Sequence, residues 1–390
     1  MQTSATITPT WKDWLPVIGL AFATFIFNTT EFAPIGLLSD ISKSFDMSEA
    51  HTGLMITGYA WFVAIASLPL MLLTAQVERR KLLIGLFVIF IASHALSALA
   101  WSFSVLMAAR IGIAVAHSIF WSITAPLAFR LAPNGYKAKA LGFLVMGSSL
   151  AMVLGLPLGR VIGQNLGWQI TFLVIGLLAL MVLFMLVSTL PLLPSSNAGS
   201  IKSLPSLLKR PALMFIYLVT VIVVTGHFTA YSYIEPFLQK VAGFSENFTT
   251  VFLLVFGASG IIGSIIYAKL NGKFPFAILA VPIGIVSICM LALVLMSASP
   301  YAIAALCMVW GIALTAIFMS LQTKVLEVAP DATDVATSMY SGIFNIGIGG
   351  GAFLGSQVLL HSGMGNIGYV GAAFTTAALL ICLLFLKQRL

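Results

Sequence analysis

The sequence predicts an all-α membrane protein, with twelve transmembrane helices in two pseudo-symmetric six-helix bundles. Three observations lead there. The chain of 390 residues is 60% hydrophobic and only 8% charged, with a mean hydropathy of +1.08, whereas an ordinary soluble domain has about 25% charged residues. Twelve apolar segments reach the roughly 20 residues that a helix rising about 1.5 Å per residue needs to cross about 30 Å of hydrocarbon. Finally, an offset of 196 residues aligns "TTEF" at Thr29 with "TGHF" at Thr225, and "GLPLG" at Gly155 with "GAFLG" at Gly351. Both matches fall on equivalent spans, as in transporters built from internal repeats.

The predicted spans are 14–38, 50–74, 81–101, 104–132, 138–164, 168–192, 211–239, 246–269, 275–297, 300–329, 334–360 and 364–386. The longest break, "PLLPSSNAGSIKSLPSLLKRP", is rich in Pro and Ser and follows the sixth span. It divides the chain into an N-terminal bundle (1–192), a linker on the cytoplasmic side (193–210) and a C-terminal bundle (211–390). With both termini in the cytoplasm, that side receives fifteen of the nineteen basic residues, among them Lys12, the triplet Arg79, Arg80 and Lys81, Arg130, Lys209 and Arg210. The outer side receives Lys43, Arg160 and Lys240, and Arg110 is left within a span. The positive-inside rule selects this orientation.

Several function classes fall away. A formal charge of +8 suggests nucleic acid only where basic residues cluster on a soluble face, and here they are scattered between apolar runs. Cys289, Cys307 and Cys382 lie inside apolar runs without CxxC spacing, so neither a disulfide framework nor a metal site is expected. The segment before Trp14 lacks the charged start and cleavage site of a secretory signal, so the first apolar run is expected to remain as a helix. An enzyme is not expected: "GGG" at Gly349–Gly351 sits in a span without the GK[ST] of a phosphate loop, and no cofactor is implied.

An ionisable group inside a span usually faces a bundle interior or an aqueous cavity. Glu31 lies about 10 Å from the outer end of span one and Arg110 at about the same depth in span four. Thr24, Asn28 and Glu31 share one helical face. Two readings of Glu31 and Arg110 stand open: a carboxylate that exchanges a proton for its arginine partner, or a permanent salt bridge between spans. His117, Trp121 and Thr124 continue the Arg110 face of span four, and Thr220, His227, Tyr231 and Glu235 line one face of span seven. His227 occupies the repeat position of Glu31. Each histidine can relay a proton, hold a hydroxyl, or simply bond a neighbouring helix. His94, without polar companions on its face, is expected to be structural, and Glu235, near an outer helix end, to be solvated. Asn345, in "GIFNIGIGGG", offers an amide among small residues, for a substrate or for a neighbouring helix.

"RIGIAVAH", Arg110–His117, resembles the fourth-span motif of the major facilitator superfamily. "LTAQVERRKLL", from Leu73, stands where that family has its basic loop between spans two and three, with Ala75 at the aspartate position. "MGSSLAMVLGLPLGRVIG", from Met146, resembles its fifth-span glycine-proline motif, although Leu156 separates Gly155 from Pro157. "FNTTEFAPIGLLSDI", "AHSIFWSIT", "YIEPFL" and "APDATDVATSMYSGIFNIGIG" make nearly the whole chain similar to the SotB-type sugar efflux transporters of the bacterial inner membrane. The resemblance implies a major facilitator fold, proton antiport and efflux of arabinose-, lactose- or thiogalactoside-like sugars. Proton coupling is then expected at Glu31, Arg110 and His227, and substrate binding at Asn28, His117, Trp121, Tyr231 and Asn345. The expected partners are a small sugar, protons and the lipid bilayer, with the chain a monomer. A multidrug/proton antiporter and a non-transporting receptor or scaffold are the alternatives.

Overall fold

The structure is a computed structural model that describes residues 10–134, 136–194 and 203–386. Among them are twelve helices long and apolar enough to cross a membrane, numbered one to twelve in chain order: Trp11–Gly36, Glu49–Leu73, Arg79–Ala98, Phe103–Leu131, Lys139–Leu166, Trp168–Thr189, Pro211–Val241, Glu246–Leu270, Ala277–Met296, Pro300–Val328, Val335–His361 and Met364–Leu384. Because successive spans run in opposite directions, one end of the bundle carries the start of span one and the end of span twelve. The other end, here called distal, carries the turns at 37–48, 99–102, 242–245 and 362–363. Of the expected linker 193–210, residues 195–202 lie outside the described residues, as do Lys202, Lys387 and Arg389; a short helix, Leu204–Leu208, leads into span seven.

The repeat is built into the backbone. Among the described residues four have positive φ, and they form two pairs across the halves: Asp46 (51°) with Gly243 (71°), and Gly167 (94°) with Gly363 (88°). A side chain resists this left-handed region, so three of the four are glycine. Serine caps repeat as well. Ser48 and Ser245 open spans two and eight, and Ser102 and Ser299 open spans four and ten, each hydroxyl accepting a backbone N–H of the first turn. Span one stops at Gly36 and resumes as Leu38–Ser44; span seven stops at Tyr231 and resumes as Ile234–Pro236, 196 residues later.

The two sequence matches that reveal the repeat are packing partners within each half. Gly155 lies against Thr29, so that span five approaches span one closely, and Gly351 lies against Thr225 and Phe228, so that span eleven approaches span seven. Span five departs from a regular α-helix. A π-helical stretch, Ala151–Gly155, precedes Pro157 and absorbs the proline's missing N–H and its ring. The halves meet along two seams: span two runs beside span eleven, and span eight packs on the π-helical stretch of span five and the helix after it.

At the terminus-bearing end the basic triplet is engaged within the first half. Glu78 caps span three, accepting the N–H groups of Arg80 (2.9 Å), Lys81 (2.9 Å) and Leu193 (2.6 Å). Burial works against its ionisation, yet those three N–H groups hold the carboxyl below its usual value. The Arg79 guanidinium donates to the carbonyls of Thr74 and Ala75, and Arg80 to that of Val187.

A Cβ on Gly351 would stand 2.5 Å from the Thr225 carbonyl oxygen, whereas one on Gly85 meets nothing within 4 Å. Gly351→Ala is therefore expected to cost about 1–3 kcal/mol by overpacking. Thermal unfolding in detergent should show a lowered Tm for Gly351→Ala and none for Gly85→Ala.

Candidate transport site

Span one carries two polar centres, one a little over a turn inside its distal end and one at that end. At the inner one, Glu31 follows Thr30, whose hydroxyl bonds His94 Nε2 at 2.8 Å and whose carbonyl accepts Arg110 Nη1 at 2.8 Å. Glu31 Oε2 lies 3.6 Å from His117 Nε2. His117 is itself pinned from two sides, by Tyr59 Oη at 2.8 Å from Nδ1 and by the Trp121 indole N–H, which donates to Nε2 at 2.6 Å. Spans one, two and four thus converge on one imidazole. Tyr59 is fully buried, and no spacing signal in the sequence marks it.

Arg110 is fully buried, and no ion pair within 4.0 Å joins it to Glu31. Its guanidinium lies 4.1 Å above the Tyr59 ring, a cation–π contact that holds it beside rather than on the carboxylate. Its Nε and Nη2 have no hydrogen-bond partner. Depth matching therefore located two charges on one site, while the group in contact with Glu31 is His117. His94 is a satisfied bridge between helices, since its Nδ1 also bonds the Phe90 carbonyl at 2.8 Å. Asn28 turns toward span five, donating to the Thr24 carbonyl at 3.2 Å and to Ser148 Oγ at 3.0 Å.

The second half has a different chemistry at equivalent depth. His227 stacks on Tyr231 (centroids 4.8 Å apart), and Trp310 meets it edge-on at 5.5 Å. Phe256 stacks on Tyr231 in turn, at 4.8 Å. The positions 196 residues after Tyr59, Arg110 and His117 are Val255, Leu306 and Ala313, so no charged shell is repeated. His227 touches this aromatic wall, and its Nδ1, like Trp310 Nε1 and Asn345 Oδ1, is buried without a partner. Among the described residues, Asn345 donates to the Ser341 carbonyl alone. The halves come together here through Phe32 and Phe228, stacked at 6.2 Å.

The distal centre departs from expectation. Glu235, expected to be solvated, is fully buried. The interruption of span seven at Ser232–Tyr233 turns it into the seam between the halves, where its Oε1 accepts Arg160 Nη1 at 3.0 Å and Gln239 Nε2 at 2.7 Å. Its Oε2 accepts the Ser39 N–H (3.1 Å) and hydroxyl (2.8 Å). Ser39 and Glu235 are 196 residues apart, so equivalent positions of the two halves touch, which places them at the pseudo-twofold axis. Arg160 also donates to the Gly36 carbonyl, where span one ends, and to Thr250 of span eight at 3.2 Å. Around this buried pair lie an ion pair between Lys240 and Glu49, a bond from Gln164 to Glu246 (3.4 Å) and one from Ser356 to the Ala50 carbonyl (2.8 Å). Asp40 stands nearby, its carboxyl pushed above the usual value by burial, with Arg160 opposing. The distal end is closed by charge; between the halves at the other end, spans two and eleven meet through Ser338 and Met71 Sδ at 3.9 Å.

The sequence profile of the Major Facilitator Superfamily matches residues 20–352. Among solved structures, a bacterial homologue to the human lysosomal transporter Spinster, in an inward-facing and unoccupied conformation, superposes with a TM-score of 0.75. The identity is 15%, over 98% of this chain and 99% of that one, a likeness of fold.

Removing one member of a buried ion pair typically costs about 3–5 kcal/mol because the other charge is stranded. Arg160→Gln is therefore expected to open the distal end. A cysteine placed at Ser356, buried at this seam, should be unreactive toward a membrane-impermeant maleimide in the native background and reactive beside Arg160→Gln. The three native cysteines are buried, so background labelling is low.

Proposed function

This chain belongs to the Major Facilitator Superfamily of transporters, and we propose that it exports small sugars of arabinose, lactose or thiogalactoside type in exchange for protons by alternating access. The observation that carries the reading is Glu31, a carboxyl buried a little over a turn inside the distal end of span one beside a histidine, with a buried arginine near it that keeps two of its nitrogens unspent. A static salt bridge would have used them. Such a carboxyl can exchange partners: it shares a proton with His117 when that ring nitrogen is free, and it can pair with Arg110 when ionised.

Positive-inside bias supports termini in the cytoplasm of a bacterial inner membrane. The distal end then faces outward, and the conformation with Arg160 on Glu235 is the outward-closed one. Substrate enters from the cytoplasm and is released after the Arg160–Glu235 closure opens. A proton from outside then occupies Glu31, and return to the outward-closed state delivers it inside. A bound sugar drives this change only by its different affinity for the two states.

A neutral sugar needs donors, acceptors and an apolar face to stack on. His117 and Trp121 supply these from the first half; His227, Tyr231 and Asn345, joined by Trp310, supply them from the second, where unpartnered Nδ1, Nε1 and Oδ1 atoms are available. The aromatic wall also suits a lipophilic cation that competes for Glu31, which is the multidrug reading.

Purified protein in liposomes with an imposed pH gradient tests the proposal. Labelled isopropyl thiogalactoside, arabinose or lactose should be moved against its gradient by the wild type. Glu31→Gln should fold normally and lose gradient-driven movement by at least tenfold. Undiminished driven movement in Glu31→Gln contradicts the role of Glu31, and movement of lipophilic cations alone favours the multidrug reading. No substrate-dependent proton flux at all would point to a receptor or scaffold.

A further inference from the structure

We infer that Trp121 is the positioning residue that makes sugar and proton mutually exclusive, because its indole N–H and the proton of the Glu31–His117 pair require the same nitrogen, His117 Nε2. The inference rests on proton exchange at Glu31.

An indole N–H only donates. With Trp121 Nε1 at 2.6 Å from His117 Nε2, that nitrogen presents its lone pair and carries no hydrogen. The ring proton of the neutral imidazole is then on Nδ1, donated to Tyr59 Oη at 2.8 Å. Glu31 Oε2 stands 3.6 Å from the same Nε2, beyond hydrogen-bond length, facing a lone pair already in use. A proton shared by Glu31 and His117 has two forms: a carboxylic O–H donating to Nε2, or an Nε2–H donating to carboxylate. Both need Nε2 to be free of the indole. The groups facing this proton are Glu31 on span one, Tyr59 on span two, His94 on span three by way of Thr30, and Arg110 on span four. None of the others reaches Nε2.

Trp121 also differs from its neighbours in exposure. His117, Tyr59 and Arg110 are at most 2% exposed, whereas Trp121 is half-buried. With its N–H on His117, the indole has a fixed plane and offers a stacking surface to the apolar face of a sugar ring. A sugar seated there holds the indole on Nε2 and keeps the proton off. A proton arriving on the Glu31–His117 pair releases the indole and removes the platform. Only hydrogen bonds change, and the one proton comes from and returns to water. The sign is that of exchange.

Nitrogen-15 NMR of labelled histidine reads the tautomer without any substrate, with His117→Asn identifying the signal among the five histidines. In the wild type, Nε2 of neutral His117 should appear as an unprotonated ring nitrogen. In Trp121→Phe, an Nε2–H form should appear, because that nitrogen is free to donate to Glu31. An unchanged, unprotonated Nε2 in a folded Trp121→Phe protein overturns the inference. Should that variant not fold, the wild type suffices: at a pH acidic enough for part of His117 to carry a proton on Nε2, saturating isopropyl thiogalactoside should increase the unprotonated Nε2 signal, and an unchanged or decreased signal overturns the inference. In binding experiments, wild-type affinity for isopropyl thiogalactoside should fall by about tenfold on acidification, within the usual range of coupling. Trp121→Phe should bind the sugar with little pH dependence; retention of the wild-type dependence also overturns the inference. A failed tautomer test leaves proton exchange at Glu31 standing, whereas absent proton flux in liposomes removes that exchange whatever the tautomer shows.

Discussion

A charge carried into a hydrocarbon-depth interior must find an opposite charge, a dipole or water, because its desolvation costs several kcal/mol. Everything distinctive in this structure is arranged around two such charges, Arg110 and Arg160, both buried and both donating to a carbonyl of span one. Arg110 takes Thr30 and the face of Tyr59, beside Glu31. Arg160 takes Gly36 and Glu235 of the other half. One helix therefore presents both a carboxyl of the central site and a backbone contact of the distal closure, with Glu31 and Gly36 five residues apart. A rigid helix transmits displacement over that length, about 7.5 Å of rise. On the function proposed, span one is the physical link between occupancy of the centre and closure of the end.

The two halves share a backbone plan and divide the chemistry. Capping serines, positive-φ turns, interrupted spans and the Gly155/Thr29 and Gly351/Thr225 contacts recur at nearly constant offset. The side chains at the core do not recur. The first half holds carboxylate, imidazole and guanidinium; the second holds the wall of His227, Tyr231, Phe256 and Trp310, with polar atoms lacking partners. On the function proposed, this is a division between a proton site and a substrate wall. The repeat supplies a common backbone frame for both, and meeting positions such as Ser39 and Glu235 mark its axis.

Hydropathy and length made the twelve helices legible, because a span must be apolar for about 20 residues whatever it contacts. The repeat was legible as well, since its glycines are required wherever two helices approach closely. Side-chain partners were not. Periodicity gives the depth and face of Glu31 and Arg110, but a cation–π contact with Tyr59 and a carbonyl of Thr30 decide where the guanidinium points, and neither leaves a spacing signal. Glu235 read as a solvated helix end because a glutamate before a proline near an interface ordinarily is one. The interruption at Ser232–Tyr233, which turns it inward, depends on the packing of Tyr233 against Gly53 and Gly355 from two other spans. Arg160 was placed with the outer basic residues for the same reason: its partners come from spans one, seven and eight.

The link through span one is tested most directly by spin labels at two exposed distal positions, Trp101 in the first half and Tyr301 in the second, with their separation measured by double electron–electron resonance. Glu31→Gln, which fixes the neutral form of the central carboxyl, should shift the distribution away from that of the distally closed state. Superimposable distributions for the wild type and Glu31→Gln, in the same lipid and at the same pH, would contradict the account.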